Sequence, residues 1–146
     1  MSLQIEEREK EGIVILDLRG SLTLGDSDLA LRQKLAALHQ SGKINVILDL
    51  KEVTHIDSTG LGTLVFGLAR LRKAGGRLAL LNVNRAHLEL FLLTRLAIAF
   101  EFFADEQDAV NSFFPDRELK HFDVLEFVQH EEDPNSKGDA PREAAC

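Results

Sequence analysis

This chain of 146 residues has a single cysteine, Cys146, and neither tryptophan nor tyrosine. One cysteine forms no internal disulfide, and a structural zinc site usually needs several cysteine or histidine ligands. The five histidines show no metal-ligand spacing. We therefore expect a protein of the reducing cytoplasm that holds no metal and needs no cofactor.

Long apolar runs and an excess of basic residues are also missing. No run reaches the ~18 residues that a membrane span requires. The first twelve residues are charged, unlike a secretory signal. Seventeen basic residues stand against 24 acidic ones, a net charge of −7. Nucleic acids and anionic membranes need a basic binding face, so we expect neither as a direct partner.

Proline is absent from the first 114 residues, and the composition changes where it appears. Residues 115–146 hold all three prolines and nine acidic against four basic residues. We predict a folded domain over residues 1–114 and an extra amphipathic helix over 115–129. Residues 130–146 bury too little apolar surface to offset their ordering entropy, which predicts an acidic disordered tail.

Patterns typical of strands and helices alternate within the first 114 residues. A hairpin through a turn near Gly12 is predicted between the first two strands. Predicted strands cover residues 3–5, 13–18, 44–50, 78–83 and 98–102, and predicted helices cover 28–40, 61–74, 85–93 and 105–113. This order indicates right-handed crossovers and an α/β fold with a largely parallel sheet.

Two patterns suggest an enzyme, but each lacks a decisive feature. Residues 20–27 have the spacing of a phosphate-binding loop, yet Asp26 replaces the lysine, and a carboxylate repels phosphate. We interpret this segment as a turn whose Asp or Ser caps the next helix. His55, Asp57 and Ser58 suggest a hydrolase, but a catalytic triad converges from distant parts of a chain. His55 is interpreted as a surface or packing residue.

Residues 53–62 join a predicted buried strand to an amphipathic helix. Asp57 and Ser58 are typical helix caps. Gly60 and Gly62 each disfavour the helix by roughly 0.5–1 kcal/mol, which suggests close approach of another backbone, from this chain or a partner. Ser58 is then an exposed hydroxyl at a helix N-terminus, within reach of a kinase. Composition alone favours a simpler interpretation, a capped helix start with glycines for packing.

The segment Asp57-Ser-Thr-Gly-Leu-Gly62 resembles the D-S-[ST]-G-[LI]-G signature of STAS domains, specifically of bacterial anti-sigma factor antagonists. Similar segments flank it in the usual order, and the resemblance covers about residues 3–114. They are Gly20-x-Leu22, Val46-Ile-Leu-Asp-Leu50, Ala74-Gly-Gly76, Leu80-Leu-Asn-Val83, Leu93-Thr-Arg-Leu96 and Phe100-Glu-Phe102. The resemblance implies the STAS fold, a single mixed, largely parallel sheet of four or five strands with four or five helices.

The resemblance also implies a function without catalysis. Unphosphorylated antagonists bind an anti-sigma factor that is itself a GHKL-type serine kinase, and this binding releases the sigma factor. The kinase phosphorylates the motif serine, here Ser58, which ends the binding until a serine phosphatase restores it. Thr23 stands where many antagonists carry an acidic residue. The partner-binding residues are then expected to be Thr23, Asp57, Ser58, Thr59, Gly60, Leu61 and Gly62.

Two alternative functions stay open. The chain could be a STAS scaffold or adaptor without a phosphorylation switch, such as the partner of a lipid-transport ATPase or a component of a stress-sensing complex. In that case Ser58 only caps a helix. The chain could instead be a small hydrolase or nucleotide-hydrolysing enzyme, a hypothesis based on Ser58 and residues 20–27.

Overall fold

A computed structural model describes residues 2–117, which form a five-stranded mixed sheet with four helices, as the sequence predicts. The elements in chain order are β1 (Leu3–Lys10), β2 (Ile13–Leu22), α1 (Asp26–Gln40), β3 (Asn45–Ile56), α2 (Ser58–Lys73), β4 (Arg77–Leu81), α3 (Arg85–Leu93), β5 (Glu101–Phe103) and α4 (Glu106–Asn111). The acidic tail predicted at 130–146, and the helix predicted at 115–129 beyond its first three residues, lie outside the described residues.

The strands lie in the sheet in chain order, with β1 antiparallel to β2 and every other pair parallel. The predicted hairpin is confirmed. Glu11 and Gly12 form its two-residue turn, both at positive φ (53° and 85°). This is the backbone twist that matches two paired strands.

Side chains alternate between the two faces of the sheet, and each face has its own core. The larger core lies under α1, α2 and α3 and includes Leu16, Leu48, Leu80 and Phe91. The smaller core lies under α4 on the opposite face. Right-handed crossovers that all advance in one direction place their helices on one face, which accounts for the three helices together.

The second strand was predicted over residues 13–18, with a turn from Gly20 onward, and this boundary is wrong. The strand continues to Leu22, and the pairing register with β3 shifts around Gly20. Gly20 has φ +115°, and a Cβ there would lie 2.2 Å from the carbonyl oxygen of Ser2. The glycine therefore allows an irregularity inside the strand instead of a turn after it.

β3 runs six residues beyond its predicted end at Leu50. The reason is tertiary: the longer β2 offers partners for the extra residues, such as Gly20 for Val53 and Leu22 for Ile56. His55 lies in this extension as an exposed strand residue, so it is not in a loop.

Two smaller boundaries also differ. The last strand covers Glu101–Phe103, not residues 98–102, and the side chain of Ile98 is 93% exposed. α1 begins at Asp26 and its N-cap is Gly25, whose N–H donates to the Asp28 carboxylate at 2.9 Å, so an Asp side chain stabilises the start of the helix as predicted, but from its first turn. The third helix, predicted over 85–93, is confirmed, and Asn84 caps it, since its side chain accepts a hydrogen bond from the backbone N–H of His87 at 2.9 Å.

Candidate functional site

The motif lies at the edge of the sheet where the parallel strands end. β3 ends at Ile56, Asp57 follows, and α2 begins at Ser58. Ile56 pairs with Leu22, the last residue of β2, so the two strand ends lie side by side. The turn after β2, residues 23–25, is therefore a direct neighbour of the start of α2. Open α/β sheets commonly bind their ligands at such an edge.

Asp57 joins this turn to the helix. Its Oδ1 accepts a hydrogen bond from the Gly60 N–H at 2.8 Å, and its Oδ2 accepts one from the Leu24 N–H at 3.0 Å. Its own N–H donates to the Leu22 carbonyl at 3.3 Å. The backbone hydrogen bonds from Leu24 and then Gly60 lower the pKa of Asp57. The predicted cap is confirmed, and the carboxylate carries a firm negative charge at neutral pH.

We expect Asp57→Ala to lose about 1 kcal/mol of unfolding free energy, within the 0.5–2 kcal/mol range for a lost N-cap. Urea denaturation measures this loss. Because Asp57 also holds the Leu24 N–H, hydrogen exchange of that amide should accelerate.

The matched control is Asn84→Ala, which removes the cap of α3 but leaves the turn after β2 alone. Equal exchange of the Leu24 amide in both variants would show that Asp57 does not hold the turn.

Ser58 is the first helical residue, and its side chain is exposed. The interpretation of Ser58 as a cap is wrong, because Asp57 occupies that position. Residues 2–117 provide no hydrogen-bond partner for its hydroxyl group. The Ser58 Oγ therefore stands free at the positive end of a helix, open to an incoming protein.

The two motif glycines differ in their surroundings. A Cβ on Gly60 would lie 2.1 Å from the Leu22 carbonyl oxygen, so the chain's own backbone accounts for this glycine. A Cβ on Gly62 would meet no atom within 4 Å, and Gly62 is exposed. Nothing within residues 2–117 therefore requires glycine at position 62.

The other residues expected to bind a partner are less exposed to solvent than Ser58 and Gly62. Thr23 and Thr59 are half-buried, and the Thr59 carbonyl accepts a hydrogen bond from the Thr63 hydroxyl at 3.2 Å. Leu61 is buried in the larger core, as Gly60 is buried against β2. Leu61 and Gly60 hold the helix in position, which leaves Ser58 and Gly62 as the open positions of the motif.

Leu24 is a feature of the site that the sequence analysis missed. Its side chain is 76% exposed, although its backbone is held by Asp57. Leu29, on the first turns of α1, is also exposed. Large apolar side chains held open beside an exposed hydroxyl are typical anchors for a partner protein. The available signal was a leucine in a short turn next to Gly25.

The described residues lack the catalytic arrangements that the enzyme alternatives require. Gly20 lies inside β2, so residues 20–27 do not form a phosphate-binding loop. The Nδ1 of His55 lies 3.0 Å from the Thr54 hydroxyl, and no hydrogen bond within residues 2–117 joins it to Ser58. The same residues contain no cluster of metal-ligating side chains and no helix long and apolar enough to span a membrane.

His87 is buried next to this edge, on the first turn of α3. Its side chain is 7% exposed, and its Nδ1 has no hydrogen-bond partner among the described residues. Burial lowers its pKa, more than the hydrogen bond with the Thr54 backbone raises it. The folded protein therefore disfavours the protonated imidazole.

We expect the unfolding free energy to fall as the pH is lowered from 7.5 to 5.5. The unfolded chain takes up the proton near pH 6.5, while the folded chain resists it. This window lies above the usual carboxylate range. Urea unfolding across the window should show a smaller pH dependence for His87→Gln than for the wild type. An unchanged slope in His87→Gln would contradict this account.

Comparison with known proteins gives the family. The STAS domain model matches residues 4–109. The anti-sigma-B factor antagonist of Bacillus subtilis (strain 168) is 28% identical over 110 residues, which cover 75% of this chain and 99% of that protein. The anti-sigma F factor antagonist of Paenibacillus polymyxa is 32% identical over 84 residues, which cover 58% and 72%.

A solved structure supports the same fold. The phosphorylated form of the Bacillus cell fate determinant SpoIIAA superposes with a TM-score of 0.60 at 22% identity, covering 76% of this chain and 98% of that one. The family match spans every strand of the sheet and the motif at the start of α2. The chain therefore belongs to the STAS domain family, together with these anti-sigma factor antagonists.

Proposed function

We propose that this protein is an anti-sigma factor antagonist whose binding is switched off by phosphorylation of Ser58. In its unphosphorylated form it binds an anti-sigma factor and thereby releases the sigma factor. The observation that carries the proposal is the exposed Ser58 hydroxyl, which has no partner within residues 2–117 and stands beside the exposed Leu24. The names of the two relatives support the antagonist role.

The switch follows from electrostatics at the start of α2. A phosphate on Ser58 adds about −1.5 to −2 charges next to the ionised Asp57. The helix dipole and solvent stabilise this group in the free protein, so the fold tolerates it. A partner that packs over Leu24 and Gly62 must instead remove water from two adjacent negative charges. This desolvation cost destabilises the complex and not the free protein, so the complex dissociates.

The proposed partner is an anti-sigma factor that is also a GHKL-type serine kinase, because the hydroxyl must be presented to ATP within the same complex. Asp57 fixes the first turn of α2 and so presents the Ser58 hydroxyl. A serine phosphatase reverses the modification. These partners place the protein in the cytoplasm, where it acts by binding and performs no catalysis of its own.

The first experiment is to locate the phosphate. The full chain is incubated with each GHKL-type anti-sigma kinase of the source organism and Mg-ATP, and then analysed by intact mass and peptide mapping. One kinase should add a single phosphate to Ser58. Thr59→Ala should accept the phosphate equally, and Ser58→Ala should accept none.

A phosphate on a different residue, or none with any of these kinases, would overturn the switch. Continued binding to an anti-sigma factor without phosphate would then favour a STAS scaffold in which Ser58 is only part of the surface.

A further inference from the structure

The exposed side of α2 is basic, although the chain as a whole is acidic. The helix contains no acidic residue, and its last turn carries Arg70, Arg72 and Lys73. Arg32 on α1 lies beside it, since its guanidinium group contacts Thr63 and Phe66 of α2. Arg72 lies on the other side of the helix, where it donates to the Ala99 carbonyl. We call Arg32, Arg70 and Lys73, which lie on the side of α2 next to α1, the basic face of α2.

No carboxylate within residues 2–117 pairs with the basic face of α2; the ion pairs of this part of the chain all lie elsewhere. Neutral groups hold its guanidinium groups instead. Arg32 donates to the Thr63 hydroxyl at 3.1 Å and stacks 4.6 Å from the centre of the Phe66 ring. Arg70 lies 5.4 Å from the same ring. The positive charge is therefore fixed in place but unmatched.

The chain beyond Arg117 carries the opposite charge. Residues 118–146 contain eight acidic and three basic residues. Three of the acidic residues are consecutive, Glu131, Glu132 and Asp133. This segment therefore carries a formal net charge of −5 within the same molecule.

The described chain ends after α4, on the face of the sheet opposite α2, but at the same edge of the sheet at which α2 ends. Arg117 pairs with Glu11 at 2.7 Å, at the edge of the sheet where the parallel strands begin. The Arg77 guanidinium, four residues after Lys73, donates to the Ser112 hydroxyl at 3.2 Å. The 14 residues from Arg117 to Glu131 can span up to about 50 Å, about twice the length of α2. The acidic run can therefore pass around this edge of the sheet and reach the basic face.

Two other surfaces fit this segment less well. A groove of about 210 Å³ beside β1 and β2 is lined by three carboxylates, Glu6, Asp17 and Glu52, against one cation, Arg19, and repels an acidic segment. The exposed Leu93 and Ile98 are uncharged and offer an acidic segment no ion-pair partner of their own. Charge complementarity selects the basic face of α2.

We propose that the acidic segment 118–146, through residues 131–133, binds the basic face of α2 within the same molecule. A tethered segment acts at a millimolar effective concentration, so even a weak contact is populated. Because Arg32 of this face contacts Thr63, five residues after Ser58, the bound segment extends towards the start of α2 and competes with a docking partner. This last consequence rests on the proposed function, whereas the contact itself does not.

Paramagnetic relaxation tests the contact in the full chain. A spin label is placed three residues after the acidic run, in the variant Ser136→Cys/Cys146→Ser. At 0.05 M salt, the amides of residues 69–73 and of Arg32 should lose at least half of their signal intensity. At 1 M salt the Debye length falls to about 3 Å, and the intensity should return.

Two triple variants separate this contact from a general charge effect. Glu131→Gln/Glu132→Gln/Asp133→Asn should abolish the broadening. Glu6→Gln/Glu9→Gln/Glu52→Gln removes three exposed negative charges from the body and should leave it unchanged. Broadening centred on Leu93 to Ile98, broadening that persists at 1 M salt, or no broadening would each overturn the proposal. None of these readouts depends on a kinase.

Discussion

Gly60→Ala is expected to lose about 2–3 kcal/mol of unfolding free energy, although alanine is the better helix former. The added Cβ would lie 2.1 Å from the Leu22 carbonyl oxygen, a backbone atom at the end of β2. Relief requires the start of α2 to move away from the sheet, and overpacking of this kind typically costs ~1–3 kcal/mol. The same movement separates Asp57 from the Leu24 N–H.

Gly62→Ala is the matched control, two residues further along the same helix. A Cβ there meets nothing within 4 Å, so we expect a gain of about 0.5–1 kcal/mol from helix propensity. Urea denaturation of both variants measures the difference. Equal stability of the two would contradict the close contact between α2 and β2.

Ser58→Glu is expected to weaken binding to the anti-sigma factor by about 5–150-fold, the usual range of a coupling between two sites. The carboxylate stands beside the ionised Asp57 on the exposed first turn of α2. A partner must remove water from both charges to pack there. Ser58→Ala should bind as tightly as the wild type. Both variants should keep unfolding free energies within about 0.5 kcal/mol of it, since the position is exposed.

Calorimetric titration of the anti-sigma factor measures these affinities. Ser41→Glu adds the same charge to an exposed serine at the far end of α1 and should bind normally. If Ser58→Glu and Ser41→Glu bound alike, the start of α2 would not be the docking surface.

The sequence predicted the order of the elements because local patterns carry it. The alternation of buried strands with amphipathic helices gave the mixed sheet, and Asp57 was recognised as a cap from its residue type alone. The ends of β2 and β3 were not predictable in the same way. The last residues of these two strands are held by pairing with each other. Glycine weakens a strand interior, so the sequence alone favoured an end near Gly20.

The candidate site likewise has features that the sequence predicts and features that depend on tertiary contacts. The motif and the position of Ser58 at a helix start follow from the sequence. The distinction between Gly60 and Gly62 does not, because it depends on where the Leu22 carbonyl lies. The exposure of Leu24 likewise depends on the turn that Asp57 holds. Contacts between residues distant in the chain decide both.

The most direct test starts from the complex of the full chain with its anti-sigma kinase. Mg-ATP or a non-hydrolysable ATP analogue is added, and the complex is followed by size-exclusion chromatography with mass analysis of each peak. Our account predicts that ATP alone releases the protein with one phosphate on Ser58, and that the Ser58→Ala complex persists. A wild-type complex that stays intact with Ser58 fully phosphorylated would contradict it.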